Sequence, residues 1–561
     1  MTRRAGDAGH ADRVVTRRDV LKRGLAASLA GLTVQAVRRG LPVAFAQGAA
    51  GEKPKYGGIV RMAEREPPNL DPHLSVSFLT QNPASLIYNS LVRLTYTFEQ
   101  KSPYDLTLMP DLAERWEYLD EKTLVFYLRK GVRFHNKPPV NGREMNAQDV
   151  KYSLERFAAK SGYRSRFDDV EGIEAVDAYT VKIITKHPFA PMLMNLATPS
   201  NNVILPREAE ERYGDFNKAE AAIGTGPFVL ESYERGIRLL FKRNPDYYIK
   251  GLPYLDGIEW QITPDAASRL SLLRAGKVDF LHVIGFVGGE DAIPLQQTNP
   301  ELKFFKYQTL GQGMFYMRTD QSPFHDVRVR RALSLAINRP AWLEALDYGE
   351  GCIDTGPVPC VLTEWKLAAK DMDSAKAKYL IGFDREEAKR LLAEAGHPHG
   401  FTTPLYHFPG YGAPWPSRYE LAVDELGKIG IKVELKPQEY GDYISTTYLG
   451  NFDKLAMGGI TPFLDVDDWL YGAFYPGQPN NRGHVDDPEL NPMLIAQRRE
   501  LDHDKRKQIV DDIQRYLADK AYYVYIPQGA VYHVHRARLK GFAPKIAHTM
   551  VHKLIGAWLE T

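Results

Sequence analysis

The residues best suited to chemistry lie in two short stretches of the C-terminal half. Met457 to Phe474 reads MGGITPFLDVDDWLYGAF, a glycine-rich turn followed by clustered acids and aromatics, so adaptable backbone, negative charge and stacking surface come together. The Pro/Gly-rich segment HFPGYGAPWP holds Tyr411 and Trp415, with Arg418 just beyond it, and reads as an exposed or inward-facing loop. With Phe78, Trp469, Tyr471 and Asn481, these side chains suit contact with an organic solute better than coordination of a naked metal ion. Asp465 is the first choice for meeting a ligand amine; capping a loop or helix is an equal alternative for its carboxylate. For each aromatic the competing assignment is ordinary packing in the core.

Other motifs fall short of a site. His135 is a lone histidine after Val132-Arg133-Phe134, whereas a protein zinc centre needs three or four converging ligands. His533 and His535 alternate on a strand and share a face, but no adjacent Cys or carboxylate completes a metal set. The run Gly224-Thr225-Gly226-Pro227 lacks the Lys-Ser/Thr ending of a phosphate loop, and its proline removes a backbone donor. Three arginines in Asp326-Val327-Arg328-Val329-Arg330-Arg331 make no basic face for nucleic acid; Asp326 reads as the cap of a helix whose core residues include Val327, Leu333 and Ile337. No G-x-S-x-G elbow or H-E-x-x-H helix is present.

The elements that must position these residues alternate between the two periodicities. Strand-like runs occur at 58–62, 123–129, 176–185, 238–243, 278–281, 431–435 and 522–527, and helical ones at 150–158, 265–273, 327–337, 388–395, 419–429 and 504–520; 85–94 is read as helical. The result is an α/β chain with no tandem repeat. Its 561 residues exceed what one hydrophobic core organises, so several domains are expected. Cys352 and Cys360 are its two cysteines; they enclose a short Gly/Pro loop that a disulfide would pin in an oxidising compartment.

The N-terminus carries its own signal. Residues 1–46 hold nine Lys or Arg against three Asp, so the formal charge of +2 for the whole chain becomes about −4 from Gln47 onward. Adjacent Arg17 and Arg18, a small and apolar stretch from Gly24 to Val37, and the small-x-small site Ala44-Phe45-Ala46 form an export leader that resembles the twin-arginine type, with cleavage expected after Ala46. No later segment has the 18 or more nearly uncharged apolar residues of a membrane span.

One stretch carries a family resemblance: MPDLAERWEYLDEKTLVFYLRKGVRFHNKPPVNGREMNAQDVKYSLERF, from Met109 to Phe157, including Trp116, Phe134-His135 and Ala147-Gln148-Asp149-Val150. It is joined by Gly224 to Phe228, Gly276 to Asp279, Pro323 to Ala332, Ala336 to Arg339, and Leu391 to Gly396. Together these resemble the family 5 extracytoplasmic solute-binding proteins of ABC transporters, over nearly all of 51–561. The resemblance implies a two-lobed periplasmic binding protein with a hinge and an interlobe cleft, and an extra domain in the first lobe. The first lobe would comprise 51–85, 225–310 and 520–561, the extra domain 86–224 and the second lobe 311–519. It also implies a non-enzymatic periplasmic receptor, expected as a monomer without a cofactor or nucleic-acid partner. Its expected partners are a small peptide or other organic solute, and an inner-membrane permease with its ATPase. In the family's peptide receptors an aspartate soon after the Thr region meets the peptide amine; here Thr461 is followed by Pro462 and Phe463, which weakens the peptide assignment. The alternative class is a secreted hydrolase acting on an extended oligomer.

Overall fold

The computed structural model describes residues 53–75, 77–197, 202–281, 287–411, 414–460, 463–546 and 550–560. The leader, with Arg17 and Arg18, lies outside them, as do Thr461 and Pro462.

Three sheets of four or more strands carry the chain. The first has seven strands in the order 302–307, 531–536, 280–281, 59–64, 257–262, 238–243, 228–234. Its central strand Ile59–Glu64 runs parallel to both neighbours, Gly257–Ile262 and Phe280–Leu281, and Val60, Met62 and Ala63 are fully buried, as expected for a strand covered on both faces. The second sheet has five strands, ordered 431–437, 401–407, 455–460, 312–317, 523–525. Here Phe401–His407 is parallel to Ile431–Pro437 and to Leu455–Ile460. The third is a four-stranded antiparallel sheet of Ala113–Asp120, Thr123–Leu128, Thr180–Thr185 and Val170–Asp177.

Helix Ala147–Lys160 closes one face of the four-stranded sheet. Asn146 and Asp149 form a reciprocal capping box at its start, and Val150, Leu154 and Phe157 bury one stripe. Each such fully buried side chain contributes roughly 1.5–3 kcal/mol. Helix Val327–Ala336 starts on the Asp326 cap, as the sequence predicts, and helix Ala266–Arg274 on Asp265, ending before Gly276 at φ +68°. Two expectations are corrected. Residues 85–94 divide between helix Phe78–Ile87 and strand Val92–Leu94. Gly458 and Gly459 lie inside strand Leu455–Ile460, where missing side chains admit aromatic rings rather than make a turn.

The chain passes between the seven- and five-stranded sheets twice, at 308–311 and at 526–530. Tyr523–Tyr525, expected with the first lobe, pairs instead with Gln312–Met317, so the return falls after Tyr525. The two passages are tied together, Gln528 Nε2 donating to the Thr309 carbonyl at 2.5 Å. Gly351-Cys352 pairs antiparallel with Gly529 and Gln528. Cys352 and Cys360 are free thiols within hydrogen-bonding reach of each other.

The glycines of the 224–227 run serve close approach. A Cβ on Gly224 or Gly226 would fall 2.1 or 2.5 Å from backbone atoms of Ile87, and His135 Nε2 lies 3.0 Å from the Gly226 carbonyl. Burial lowers His135 to about 4, so its ring is neutral at physiological pH and acts as scaffold.

Candidate functional site

In open α/β sheets ligands bind outside the carboxyl ends of parallel strands. In the five-stranded sheet those ends are His407, Pro437 and Ile460, and the residues that follow or flank them form a continuous aromatic wall. Phe408 packs on Tyr411, Tyr440 and Tyr443 at centroid distances of 5.0, 5.1 and 6.0 Å; Tyr411 meets Trp415 at 5.3 Å; Tyr443 meets Tyr448 at 6.1 Å. Successive strand residues face opposite ways, and the two glycines exploit that. A Cβ on Gly458 would lie 2.0 Å from the Tyr443 hydroxyl, one on Gly313 would press on the Trp415 ring at 3.1 Å, and one on Gly459 would just touch that ring at 3.6 Å. Tyr411 is 36% exposed and Tyr440 56%, so the wall is open to solvent on one side. Arg65, just past the carboxyl end of Ile59–Glu64, is near enough to act electrostatically on Tyr440.

Behind the wall sits Arg482, 1% exposed. Its Nε donates to the Tyr448 carbonyl at 2.8 Å, and its Nη1 to the Tyr316 hydroxyl at 2.5 Å and the Gly459 carbonyl at 3.3 Å. The guanidinium lies over the Tyr448 ring at 3.7 Å and the Tyr316 ring at 4.8 Å. Burial pushes the hydroxyls of Tyr316, Tyr411 and Tyr443 upward, so all three keep their protons at neutral pH; that of Tyr316 is spent on the Gly459 carbonyl at 2.8 Å.

The structure places Tyr411 and Trp415 together in this wall. Arg418, beneath the Trp415 ring at 5.2 Å, is paired with Asp347 at 3.2 Å. Phe78 begins helix Phe78–Ile87, after the Ser77 cap. The remaining candidates serve their own segment. Asp465 caps helix Val466–Phe474 through the Asp467 amide and pairs with Arg506 at 2.7 Å. Trp469 is buried, its Nε1 donating to the Phe463 carbonyl at 3.0 Å. Tyr471 stacks on Tyr475 at 4.3 Å and under Arg498 at 3.7 Å. Asn481 is buried, donating to the Val485 carbonyl and accepting from its amide.

Sequence reasoning missed Tyr316, Tyr443, Tyr448 and Arg482. The aromatic density of YGDYISTTY at 440–448 was a usable signal; nothing near Arg482 in the chain marks it. A recess of about 440 Å³ lined by Tyr118, Trp365, His503 and Arg506 lies away from the strand ends. Among the described residues, no group of three or more His, Cys, Asp or Glu could hold a metal ion, and no helix is long and apolar enough to cross a membrane.

The model of the bacterial extracellular solute-binding proteins, family 5 (middle region), matches residues 107–481. The chain belongs to this family. Among family 5 relatives, the dipeptide-binding protein of Escherichia coli K12 is 26% identical over 510 residues, covering 86% of this chain and 91% of its own. Heme-binding protein A of Haemophilus influenzae is 29% identical over 435 residues, covering 73% of this chain and 76% of its own. The solved structure of AgaA from A. tumefacien R10, in complex with agropinic acid, is 26% identical with a TM-score of 0.75, covering 90% of this chain and 99% of AgaA. The family 5 chain thus has the two-lobed α/β fold of periplasmic binding proteins and the general role of a solute-binding receptor for import. The hydrolase alternative finds no support in these likenesses.

Proposed function

We propose that this receptor captures a small organic solute in a cleft between the seven- and five-stranded sheets and presents it, closed, to an inner-membrane ABC permease driven by a separate ATPase. The observation that supports this reading is the aromatic wall at the parallel-strand carboxyl ends, with Arg65 near enough to act on Tyr440. The wall supplies stacking and apolar contact, and the protonated tyrosine hydroxyls supply hydrogen bonds. Closure about the passages at 308–311 and 526–530 is favoured only by the extra contacts the solute makes in the closed state. The unit around the four-stranded sheet belongs with the first lobe in this reading. It reaches the second through Arg166 and Asp468 at 3.1 Å and through the Ala190 amide, which donates to the Arg498 carbonyl at 2.9 Å.

Relatives whose names specify dipeptides, heme and agropinic acid leave the solute class wide. A peptide bound through its amine is disfavoured here, because Asp465, Asp467 and Asp468 all have internal partners. The test is mass spectrometry of solute released from gently purified protein, followed by titration of the identified compound with small-angle scattering. Saturable binding with a fall in radius of gyration supports the receptor reading; turnover of the compound, or binding with no compaction, overturns it.

A further inference from the structure

We infer that Arg482 is the anchor for a carboxylate of the solute, an inference that rests on the receptor reading above. Most other buried arginines among the described residues meet an acid or are held by carbonyls, Arg269 by those of Thr263 and Pro264 and Arg330 by those of Phe324, His325 and Lys520. Arg156 pairs with Asp71 and Glu210, Arg506 with Asp465 and Arg166 with Asp468. Arg339 lacks an acid but places all three nitrogens on the carbonyls of Tyr525, Ser334, Ile337 and Gly382 and the Ser334 hydroxyl. Arg482 has neither arrangement. It pairs with no acid among the described residues, and its Nη2 is the one terminal guanidinium nitrogen there that is buried without a hydrogen-bond partner.

A guanidinium stacked between Tyr448 and Tyr316 is held in a fixed plane, and its donors project from the edge of that plane. Nε and Nη1 are used, so the open donor is Nη2. Tyr411, Tyr443, Tyr448 and Tyr316 all lie close enough to act on the charge. A buried cation with an unfilled donor and neutral hydroxyls around it is matched by an anion with two acceptor oxygens. A carboxylate accepting from Nη2 and from a tyrosine hydroxyl meets this demand, and the rest of the solute then lies along Phe408, Tyr411 and Trp415. The carboxylate is the shared chemistry of a peptide C-terminus and a non-peptidic organic acid.

Thermal-shift and calorimetric titration with free dipeptides, gluconate and aromatic acids, each beside its primary amide, tests this. At least one free acid is expected to bind about 30-fold or more tightly than its amide. Arg482→Met should remove that preference, and Arg482→Lys should restore part of it. Whether the peptide or the non-peptide acid binds distinguishes the two sources. No binding by any free acid, equal binding of acid and amide, or full acid affinity in Arg482→Met overturns the inference. Scattering separates its failure from that of the receptor reading: compaction by amides but not acids sinks Arg482 alone, and compaction by no solute sinks both.

A second inference stands on a different observation. We propose that Cys352 and Cys360 are oxidised to a disulfide that straps both passages between the sheets. Besides the pairing of Gly351-Cys352 with Gly529 and Gln528, Cys360 Sγ lies 3.5 Å from Gln308 Oε1, and Gln312 Nε2 donates to the Gly356 carbonyl at 2.7 Å. The Cys360 side chain lowers Cys352, making Cys352 the readier thiolate. That thiolate attacks a small-molecule or protein disulfide, releasing one thiol, and Cys360 then attacks the Cys352 sulfur of the mixed disulfide, expelling the second. The Cys352–Cys360 bond forms with loss of two protons as the oxidant takes two electrons and leaves as two thiols. After treatment with oxidised glutathione, iodoacetamide should label neither cysteine before reduction and both after it; labelling of both without reductant, or a stable glutathione adduct, overturns the proposal.

Discussion

Two regions of the second sheet's surroundings present buried charge in opposite ways. In 463–474 three aspartates are each met by a cation from elsewhere in the chain: Asp465 by Arg506, Asp467 by Arg498 at 3.4 Å, and Asp468 by Arg166. At the aromatic wall Arg482 meets tyrosines and carbonyls but, among the described residues, no acid. A charge whose partner belongs to the same chain holds segments together and has little left for a visitor, while one without a partner pays its desolvation cost unless an anion arrives. The acid-rich stretch that looks most like a binding loop in the sequence is therefore the structural one.

The largest expected effect breaks the paired side. Asp465→Ala strands Arg506 in a buried site and removes a helix cap, so unfolding in urea should show a loss of about 3–5 kcal/mol, with affinity for the bound solute within twofold of wild type. Lost affinity at unchanged stability would reverse the assignment of the two regions.

A pH-dependent effect comes next. Burial pushes Asp468 up to about 6 from its ordinary 3.8, with Arg166 holding it partly down. The folded chain then binds this proton more tightly than the unfolded chain, so the contribution is favourable at low pH and is lost as pH rises from about 4 through 6. Asp468→Asn, which mimics the protonated acid, should be more stable than wild type at pH 7.5 by at most roughly 3 kcal/mol, with the gap closing near pH 4. Melting temperatures across that range check it; a gap that widens toward acid would show that the Arg166 pair dominates.

The sequence made the α/β alternation, the capped helix at Asp326 and the solute-receptor class legible, because caps and periodicity are local and the 109–157 stretch is distinctive. It misread Gly458-Gly459 as a turn because glycine is read first for backbone freedom, whereas here the omitted side chains make room for Tyr443 and Trp415 from distant segments. The site is assembled from 316, 408–415, 440–448 and 482, and no local pattern reports that these meet. Gly458→Ala tests this assembly: its methyl would collide with the Tyr443 hydroxyl, costing about 1–3 kcal/mol and weakening solute binding together. Gly441→Ala, with no atom within 4 Å of the added Cβ, should do neither.

The smallest effect on stability is the most informative. Arg482→Met forfeits the hydrogen bonds to Tyr448, Tyr316 and Gly459, each worth about 1 kcal/mol net, but it also removes a buried cation with no counter-charge, and a methionine fills much of the same volume between the rings. The two terms oppose, so the urea midpoint should move by no more than about 1 kcal/mol in either direction. Arg506→Met, the same substitution at an arginine that has its acid, strands Asp465 and should cost about 3–5 kcal/mol. If the two variants lose stability equally, the Arg482 guanidinium is as structural as that of Arg506 and the contrast between the two regions collapses; if only Arg506→Met does, the charge at the aromatic wall is held for something that enters from outside.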